Sequence, residues 1–439
     1  MRNQSGGGAV GPSVRRLAIL SFHTSPLVQP GSGDSGGMNV YVRELGSALA
    51  QAGVACDVYT RRWSDELADE VAVEPGFTVV HVPAGPAGEV VKEDLPSLVP
   101  AFTAGVAERI LATGGVDAIH ANYWLSGVAG HALKHELGLP LVSTFHTLAR
   151  VKADGGTTDA GGGSDARVRA EVEVVACSDA ILANCTEESL DLQRHYAAPP
   201  ERIEVVPPGV DHAFFSPGDR DGARAALGWS SPGRISDVGG RLADQHPVLL
   251  FVGRIQPLKG LDVAIGALAA LDRPDAELVA VGGPSGSDGP AELARVTELA
   301  RDLGVLDQVR FVPAQPHHLL STWYRAADVV LVPSRSESFG LVALEAAACG
   351  VPVVAAAVGG LRTLVDHGRT GFLIEGRDPQ DFAASVELLL DDPSLAAAMG
   401  TAGALRAQGY TWSTAAARLR RLYTDLAARS PVSCTTAAA

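Results

Sequence analysis

Short apolar runs rich in Val, Ile and Leu alternate with helical patterns along nearly the whole of this chain, and the alternation breaks once. RRLAILSF (15–22) reads as a first strand and VYVRELGSALAQAG (40–53) as the helix after it, with Gly53 as its C-cap. ACDVYT (55–60), GVDAIHAN (115–122), LPLVSTFH (139–146) and DAILANC (179–185) continue the strand series, with helical stretches at 125–138 and near 167–176 between them. IEVVPPGVD ends this half near residue 211. Residues 217–247 are rich in Gly, Pro, Ser and Asp and carry no long apolar period. The pattern then restarts with HPVLLFVGR (246–254), AELVAVGG (276–283), VRFVPA (309–314) and DVVLVPS (328–334). Strands separated by helices pair in parallel and are covered on both faces. The expected fold is therefore α/β, with two doubly wound, Rossmann-like domains. A chain of 439 residues also exceeds what one core ordinarily serves. The expected boundaries are a flexible leader (1–14), an N-terminal domain (15–216), a C-terminal domain (217–408), a last helix returning to the first domain (409–428) and a frayed tail (429–439).

The charge balance narrows the partners. Net charge is −15, which argues against nucleic acid and against an acidic membrane surface. An anionic substrate would have to be held by a local cluster of cations. The five cysteines are scattered, odd in number and without a CxxC pair. Neither a disulfide framework nor a zinc site is expected, and reduced thiols in a cytoplasm fit best. The first residues lack an apolar signal core, and no apolar run is long enough to span a membrane.

The chemistry concentrates at residues 334–354, SRSESFGLVALEAAACGVPVV. A buried strand precedes it, Phe339-Gly340 forms the turn, and LVALEAAAC reads as a helix. Glycine lets a ligand approach the backbone, and the free N–H groups of a helix start attract phosphate. Glu337 stands at the mouth and Glu345 about two turns further on. Two carboxylates flanking a phosphate-binding helix start suit one phosphate and two sets of sugar hydroxyls, as in a nucleotide sugar. Arg254 and Lys259, in FVGRIQPLKG, follow a strand at its carboxyl end, where open α/β sheets bind ligands. They could neutralise a departing diphosphate. A Lys in a first helical turn is unfavourable unless an anion compensates it.

Weaker signals surround this core. Gly31, Gly33, Gly36 and Gly37 fill the first strand-to-helix loop, HTSPLVQPGSGDSGGMN (23–39), but lack GxGxxG spacing and a P-loop Lys. They read as a backbone cradle for a sugar or phosphate. His146 ends a strand and is a candidate site residue. His131 and His135 have the i, i+4 spacing of helix-borne metal ligands, but no third ligand is evident and a solvated helix face is the favoured reading. His317-His318 reads as a helix start. The Gly-rich segment 153–165 reads as a plain loop.

Taken together, these residues resemble the retaining glycosyltransferases of family 4, which have the GT-B architecture: two Rossmann-like domains facing across a cleft. The resemblance spans residues 15–427. It implies that Glu337 contacts the donor sugar, Glu345 the ribose, Arg254 and Lys259 the diphosphate, and that His146 lies beside donor and acceptor. It adds Gln29, Pro30, Gly37, Gln315, Phe339 and Gly340 to the donor site. A narrower likeness, carried by HTSPLVQPGSGDSGGMNVYV, HANYWLSG, TFHTLARVK and SESFGLVALEAAACG, is to the members that open mycothiol biosynthesis. These move GlcNAc from UDP-GlcNAc to 1D-myo-inositol 3-phosphate. By that likeness His23, Asp34, Ser35, Gly36, Gly37, Met38 and Asn39 contact the inositol. Lys92, Tyr123, Thr147 and Arg167 grip the acceptor phosphate. Two cations and two hydroxyls suit a phosphorylated acceptor, and a neutral one would not need them. The chain departs from that pattern at Lys152-Ala153, Gln315 and Val351.

The expected partners are thus a nucleotide sugar and a small phosphorylated cyclitol, with a homodimer allowed. No cofactor is expected to be essential. A magnesium ion at Tyr324, Arg325, Ala327 and Val351 is allowed by resemblance. Three other readings stay open: a family member with another small polar acceptor, a nucleotide-sugar epimerase, and a non-catalytic sensor of sugar nucleotides.

Overall fold

The computed structural model describes residues 14–31, 33, 35–154, 164–229, 246–286 and 289–434. Asp34, most of the leader, the centre of the Gly-rich 153–165 segment and the end of the tail lie outside the described residues.

Each domain is built on one sheet. The N-terminal sheet contains β1 (Arg16–Leu20), β2 (Ala55–Arg61), β3 (Glu70–Glu74), β4 (Phe77–Val82), β5 (Ala118–Asn122), β6 (Leu141–Thr144), β7 (Ala180–Ala183) and β8 (Ile203–Val205). Their order is β3-β4-β2-β1-β5-β6-β7-β8, and all neighbours are parallel except β3 and β4. The C-terminal sheet contains β9 (Val248–Val252), β10 (Glu277–Val281), β11 (Val309–Val312), β12 (Val329–Val332), β13 (Val353–Ala356) and β14 (Gly371–Ile374). Its order is β11-β10-β9-β12-β13-β14, parallel throughout. In both sheets the order reverses beside the first strand, and this places a crevice at the strands' carboxyl ends. The apolar alternation anticipates the parallel strands β1, β2, β5, β6, β7, β9, β10, β11 and β12, and passes over the parallel strands β4, β13 and β14. It misses the antiparallel edge strand β3, because EVAVE is half polar and sits partly in solvent.

The central strands are apolar on both faces because helices cover both. Leu17, Ile19, Val58 and Val142 lie on one side of the first sheet with the helix Gly37–Gln51, and Ala18, Leu20, Ile119 and Leu141 lie on the other. The linker also folds where the sequence shows no period: Arg220–Ala226 is a short helix, capped by the Asp219 carboxylate.

The chain ends back on its first domain. Trp412, Ala415, Leu419, Tyr423 and Leu426 of the helix Trp412–Ala427 join the core beneath β1 and β2. The Tyr423 hydroxyl lies 2.8 Å from His120 Nδ1, and Arg420 donates to the Ala52 carbonyl at 2.8 Å. Two interdomain segments run side by side on the way, with the Val210 N–H donating to the Tyr410 carbonyl. Gly209 has no room for a side chain, since a Cβ there would stand 2.1 Å from the Trp412 nitrogen.

The thiols depart from the sequence expectation. Cys177 and Cys434 are joined as a disulfide, while Cys56, Cys185 and Cys349 are free and buried. The pair is 257 residues apart in sequence, and only the return of the chain to the first domain brings the tail to the end of the helix Ser164–Cys177.

Candidate active site

The side expected to hold the nucleotide begins at Gly340. It caps the helix Leu341–Ala348 with a φ of 102°, and a Cβ would stand 2.6 Å from Leu361 Cδ2. Only glycine satisfies both constraints. Behind it, Gly359 and Gly360 let the next turn press against this loop: the Gly360 N–H donates to the Glu337 carbonyl at 3.0 Å, and a Cβ on Gly360 would meet Phe339 Cα at 2.4 Å. A Gly-Gly pair after an apolar strand is a turn signal, but this role of the pair depends on the loop packed against it. Phe339 itself is buried in the domain core.

Lys259 belongs to a short 3-10 turn, Pro257–Lys259, one step before the helix Leu261–Ala270. Its Nζ donates to Glu337 Oε2 at 2.6 Å. Both side chains are partly exposed, so the pair can open its outer faces to a ligand. Arg254 donates to Ser285 Oγ at 3.1 Å, and Ser285 donates in turn to the Gly33 carbonyl at 2.7 Å. The guanidinium also packs on Gly36, where a Cβ would stand 3.1 Å from Nε. Arg254 therefore touches the glycine loop of the opposite domain.

Glu345 is 4% exposed and both its oxygens are engaged. His317 Nε2 lies 2.7 Å from Oε1, and the Tyr324 hydroxyl donates to Oε2 at 2.8 Å. A carboxylate keeps lone pairs beyond these two, so a sugar hydroxyl can still be accepted. Burial opposes charge on His317, but Glu345, with Glu44 and Asp211, outweighs it and raises the histidine above its ordinary range. His317 was read only as a helix start. Its role here depends on a contact across 28 residues that spacing does not show.

The glycine loop is tied at both ends. Asn39 donates to Thr24 Oγ1 at 2.7 Å and to the Ser25 carbonyl at 2.6 Å, and accepts from the Gly36 N–H at 3.0 Å. Its amide is thereby committed to shaping the loop. Ser35 is buried against Thr24, and Met38 packs at the rim of the core. On the other side, Gln29 donates to the Ala314 carbonyl at 2.8 Å, and the Gly283 N–H to the Gly31 carbonyl at 2.8 Å. Pro30 lies between these anchors. Gln315 donates to the Pro313 carbonyl at 2.9 Å.

The residues expected to hold the acceptor gather near His23. Arg167 is 3% exposed, pairs with the buried Glu171 at 2.7 Å, and donates to the Thr147 carbonyl and hydroxyl at 2.9 and 3.1 Å. Its guanidinium also stacks over Tyr123, 5.2 Å from the ring centre, and Tyr123 in turn lies 4.3 Å from the His23 ring. Tyr123 holds a φ of 75°, an uncommon backbone state for a bulky residue and one found at ligand sites. Lys92 is exposed in the turn before the helix Leu95–Ala112. Desolvation, then Lys92, His146, Arg254 and Arg167, push the His23 pKa down to about 3. Its Nδ1 is shielded from solvent and has no hydrogen-bond partner among the described residues. A buried polar atom without a partner is uncommon and suits a site awaiting a ligand.

His146 sits between the two sides. Its φ is 60°, its Nε2 lies 2.9 Å from Asn122 Oδ1, and Tyr41 packs edge-on at 4.8 Å. Burial takes its pKa down to about 3, so the ring is neutral. Its carbonyl accepts from the Ser338 hydroxyl, and Cys185 Sγ approaches the Ser338 carbonyl at 3.3 Å. Ser338 thus links the carboxylate loop to the first domain.

The magnesium residues offer little side-chain oxygen. The Tyr324 hydroxyl is held by Glu345, and Arg325 donates from Nε to the Ser216 carbonyl at 2.8 Å. Ala327 and Val351 are buried and apolar. Main-chain carbonyls at the C-terminal end of the helix Leu320–Ala326 would be the ligands there, since the helix dipole favours positive charge at that end.

Comparison with known proteins agrees with this fold. Residues 35–214 match the family model Glycosyltransferase Family 4, and residues 237–406 match Glycosyl transferases group 1. The D-inositol 3-phosphate glycosyltransferase of Thermobispora bispora is 45% identical over 424 residues, 94% of this chain and 95% of the relative. That of Kribbella flavida is 46% identical over 416 residues, 93% and 95% respectively. Among solved structures, the sucrose-phosphate synthase of Thermosynechococcus elongatus superposes with a TM-score of 0.84 at 32% identity, covering 94% of this chain and 99% of that one. Anabaena HepE, solved with UDP and glucose, has a TM-score of 0.73 at 21% identity, covering 93% and 99%, and shares the fold. The chain is a glycosyltransferase of GT-B architecture and belongs to the family of the D-inositol 3-phosphate glycosyltransferases.

Proposed function

We propose that this enzyme transfers GlcNAc from UDP-GlcNAc to 1D-myo-inositol 3-phosphate with retention at the anomeric carbon, the opening step of mycothiol biosynthesis. The observation that carries the acceptor is the convergence near His23 of three cations, Lys92, Arg254 and the Glu171-paired Arg167, in a chain of net charge −15. A dianionic phosphate is the ligand such a local reversal of charge suits.

In this reading Arg254, Lys259 and the helix start at Gly340 receive the diphosphate. Glu337 and Glu345 take the donor's hydroxyls. Arg167 and Thr147, with Lys92 and Tyr123, hold the acceptor phosphate, and Asn39 keeps the glycine loop in shape. The acceptor oxygen attacks the anomeric carbon on the face the leaving group departs from. As that C–O bond forms and the bond to the diphosphate breaks, a diphosphate oxygen takes the acceptor's proton. The two cations and the helix dipole stabilise the charge growing on the diphosphate. The neutral His146 offers its ring edge to the substrates without adding charge. Among the described residues no carboxylate of the acceptor half stands out as a nucleophile, which favours this front-face route. A magnesium ion, if bound near Tyr324, Arg325, Ala327 and Val351, would supply positive charge held by main chain.

Incubation with UDP-GlcNAc and either inositol phosphate or free inositol, followed by mass spectrometry, tests the reading. A GlcNAc adduct of the phosphorylated cyclitol is expected. Equal use of free inositol would overturn the phosphate grip and favour a family member with another polar acceptor. Conversion of the donor alone would favour an epimerase.

A further inference from the structure

A second cluster lies outside the active site, on the outer side of the first domain. His131 and His135 stand one turn apart on the helix Trp124–Leu137, with ring centres 5.1 Å apart. Cys177 ends the helix Ser164–Cys177, and Cys434 comes from the tail beyond the last helix. The four ligand atoms lie within 4.8 Å of one another. Both imidazoles address the same sulfur: His135 Nε2 is 3.0 Å and His131 Nε2 3.6 Å from Cys434 Sγ. Pairing two sulfurs needs no histidine, so the aim of both rings calls for another account.

We propose that in the reduced protein His131, His135, Cys177 and Cys434 form a closed four-ligand zinc site that fastens the chain's end to its first domain. The donor set is Cys2His2, which selects Zn2+ by softness and by tetrahedral preference. A tetrahedral ion with Zn–S of about 2.3 Å and Zn–N of about 2.0 Å separates an N ligand from an S ligand by about 3.6 Å. One observed N···S distance, 3.6 Å, matches that separation, and the other, 3.0 Å, is shorter than it. Two thiolates cancel the ion's charge, so the site adds no net charge to a place where Cys177 is only 3% exposed.

The surroundings hold the ligands in position. Lys134, on the same helix, donates to the Cys177 carbonyl at 2.7 Å and to Asp179 Oδ2 at 2.7 Å. Asp179 Oδ1 accepts from the Val432 N–H at 2.5 Å, two residues before Cys434. The tail is therefore threaded toward the cluster by hydrogen bonds that do not involve the sulfurs. Partial exposure of the histidines leaves an entry path for the ion.

The disulfide and the zinc site exclude each other, because a sulfur in a disulfide carries no thiolate charge. A dithiol reductant converts the disulfide to two thiols and is itself oxidised to a cyclic disulfide. Zn2+ then binds both sulfurs as thiolates, and two protons leave to solvent.

The test uses the untagged full-length chain, purified with a reductant and analysed for metal by mass spectrometry after dialysis against zinc chloride. About one tightly held zinc per chain is expected. Cys434→Ser and His135→Ala should each bind zinc at least about tenfold more weakly. His318→Ala, an exposed histidine elsewhere, should keep it. Hydrogen exchange at residues 428–434 should rise when a chelator strips the ion from wild-type protein. Cys434 lies in the tail, so its variant is expected to fold. Failure of the reduced wild type to bind zinc, or full zinc retention by Cys434→Ser, would overturn the site.

Discussion

The Ser338 hydroxyl donates to the carbonyl of His146, joining two residues 192 positions apart. Ser338 lies between the carboxylate Glu337 and the helix-capping Gly340. His146 ends the turn after the strand that carries Thr144. One hydrogen bond thus connects the loop that would hold the donor to the segment that would hold the acceptor. The positive φ of His146 turns its carbonyl toward Ser338 and its ring toward Asn122.

Ser338→Ala should loosen this link while leaving each domain intact. A neutral hydrogen bond contributes about 1 kcal/mol. The expected result is a several-fold fall in kcat/KM with an unchanged melting temperature, read by steady-state kinetics and calorimetry. An unchanged kcat/KM would mean that the contact does not serve alignment.

Thr147→Val isolates the acceptor grip. Removing Arg167 outright would strand the buried Glu171, a change that costs about 3–5 kcal/mol, so Arg167→Ala should lower stability as well as acceptor binding. Thr147→Val removes one hydroxyl and keeps the ion pair. Its KM for inositol phosphate should rise by roughly fivefold, about 1 kcal/mol, with donor affinity and melting temperature preserved. A rise in donor KM instead would place Thr147 on the other side of the cleft.

Lys259→Ala should lower kcat by about 100-fold, as loss of a group that stabilises developing charge does. It also frees Glu337 from its 2.6 Å partner. The double variant Lys259→Ala with Glu337→Gln separates the two effects. If Lys259 serves only to orient Glu337, the double variant should be no slower than Glu337→Gln alone. If it meets the diphosphate, the double variant should be slower.

Acid should destabilise this protein through its shielded histidines. Burial lowers His23, His120 and His146 from the ordinary 6.5 to about 3. Below pH 6.5 the unfolded chain binds protons at these three sites and the folded chain does not. Stability therefore falls as pH drops from about 6.5 toward 3, since it rises with pH wherever the unfolded state holds more protons. His120→Gln should make the melting temperature less steep over that range. A slope equal to wild type would show that His120 does not contribute.

The fold class was legible because it depends on local order, and donor-side candidates can be named for the same reason. Strand, glycine turn and helix follow one another within residues 328–348, and a helix start attracts phosphate wherever it stands. Glu337, Gly340, Arg254 and Lys259 could be named on that basis. The acceptor candidates Lys92, Tyr123, Thr147 and Arg167 are scattered, and only family likeness points to them. Their convergence around His23 depends on how five strands stack in register, which no local pattern encodes. His317 and Ser338 went unseen for the same reason: each acts through a contact made across the fold.

The cysteines show the limit most plainly. Spacing alone argued against both a disulfide and a metal site, because Cys177 and Cys434 are 257 residues apart and the two histidines had no third ligand. Local sequence determined that His131 and His135 share a helix face, since that follows from 3.6 residues per turn. Only the tertiary structure, by sending the last helix back across the first domain, brought two sulfurs to that face. Short-range order is written in periodicity and turn chemistry. Long-range convergence arises from burial of whole helix faces, and many sequences satisfy that burial without placing these four side chains together.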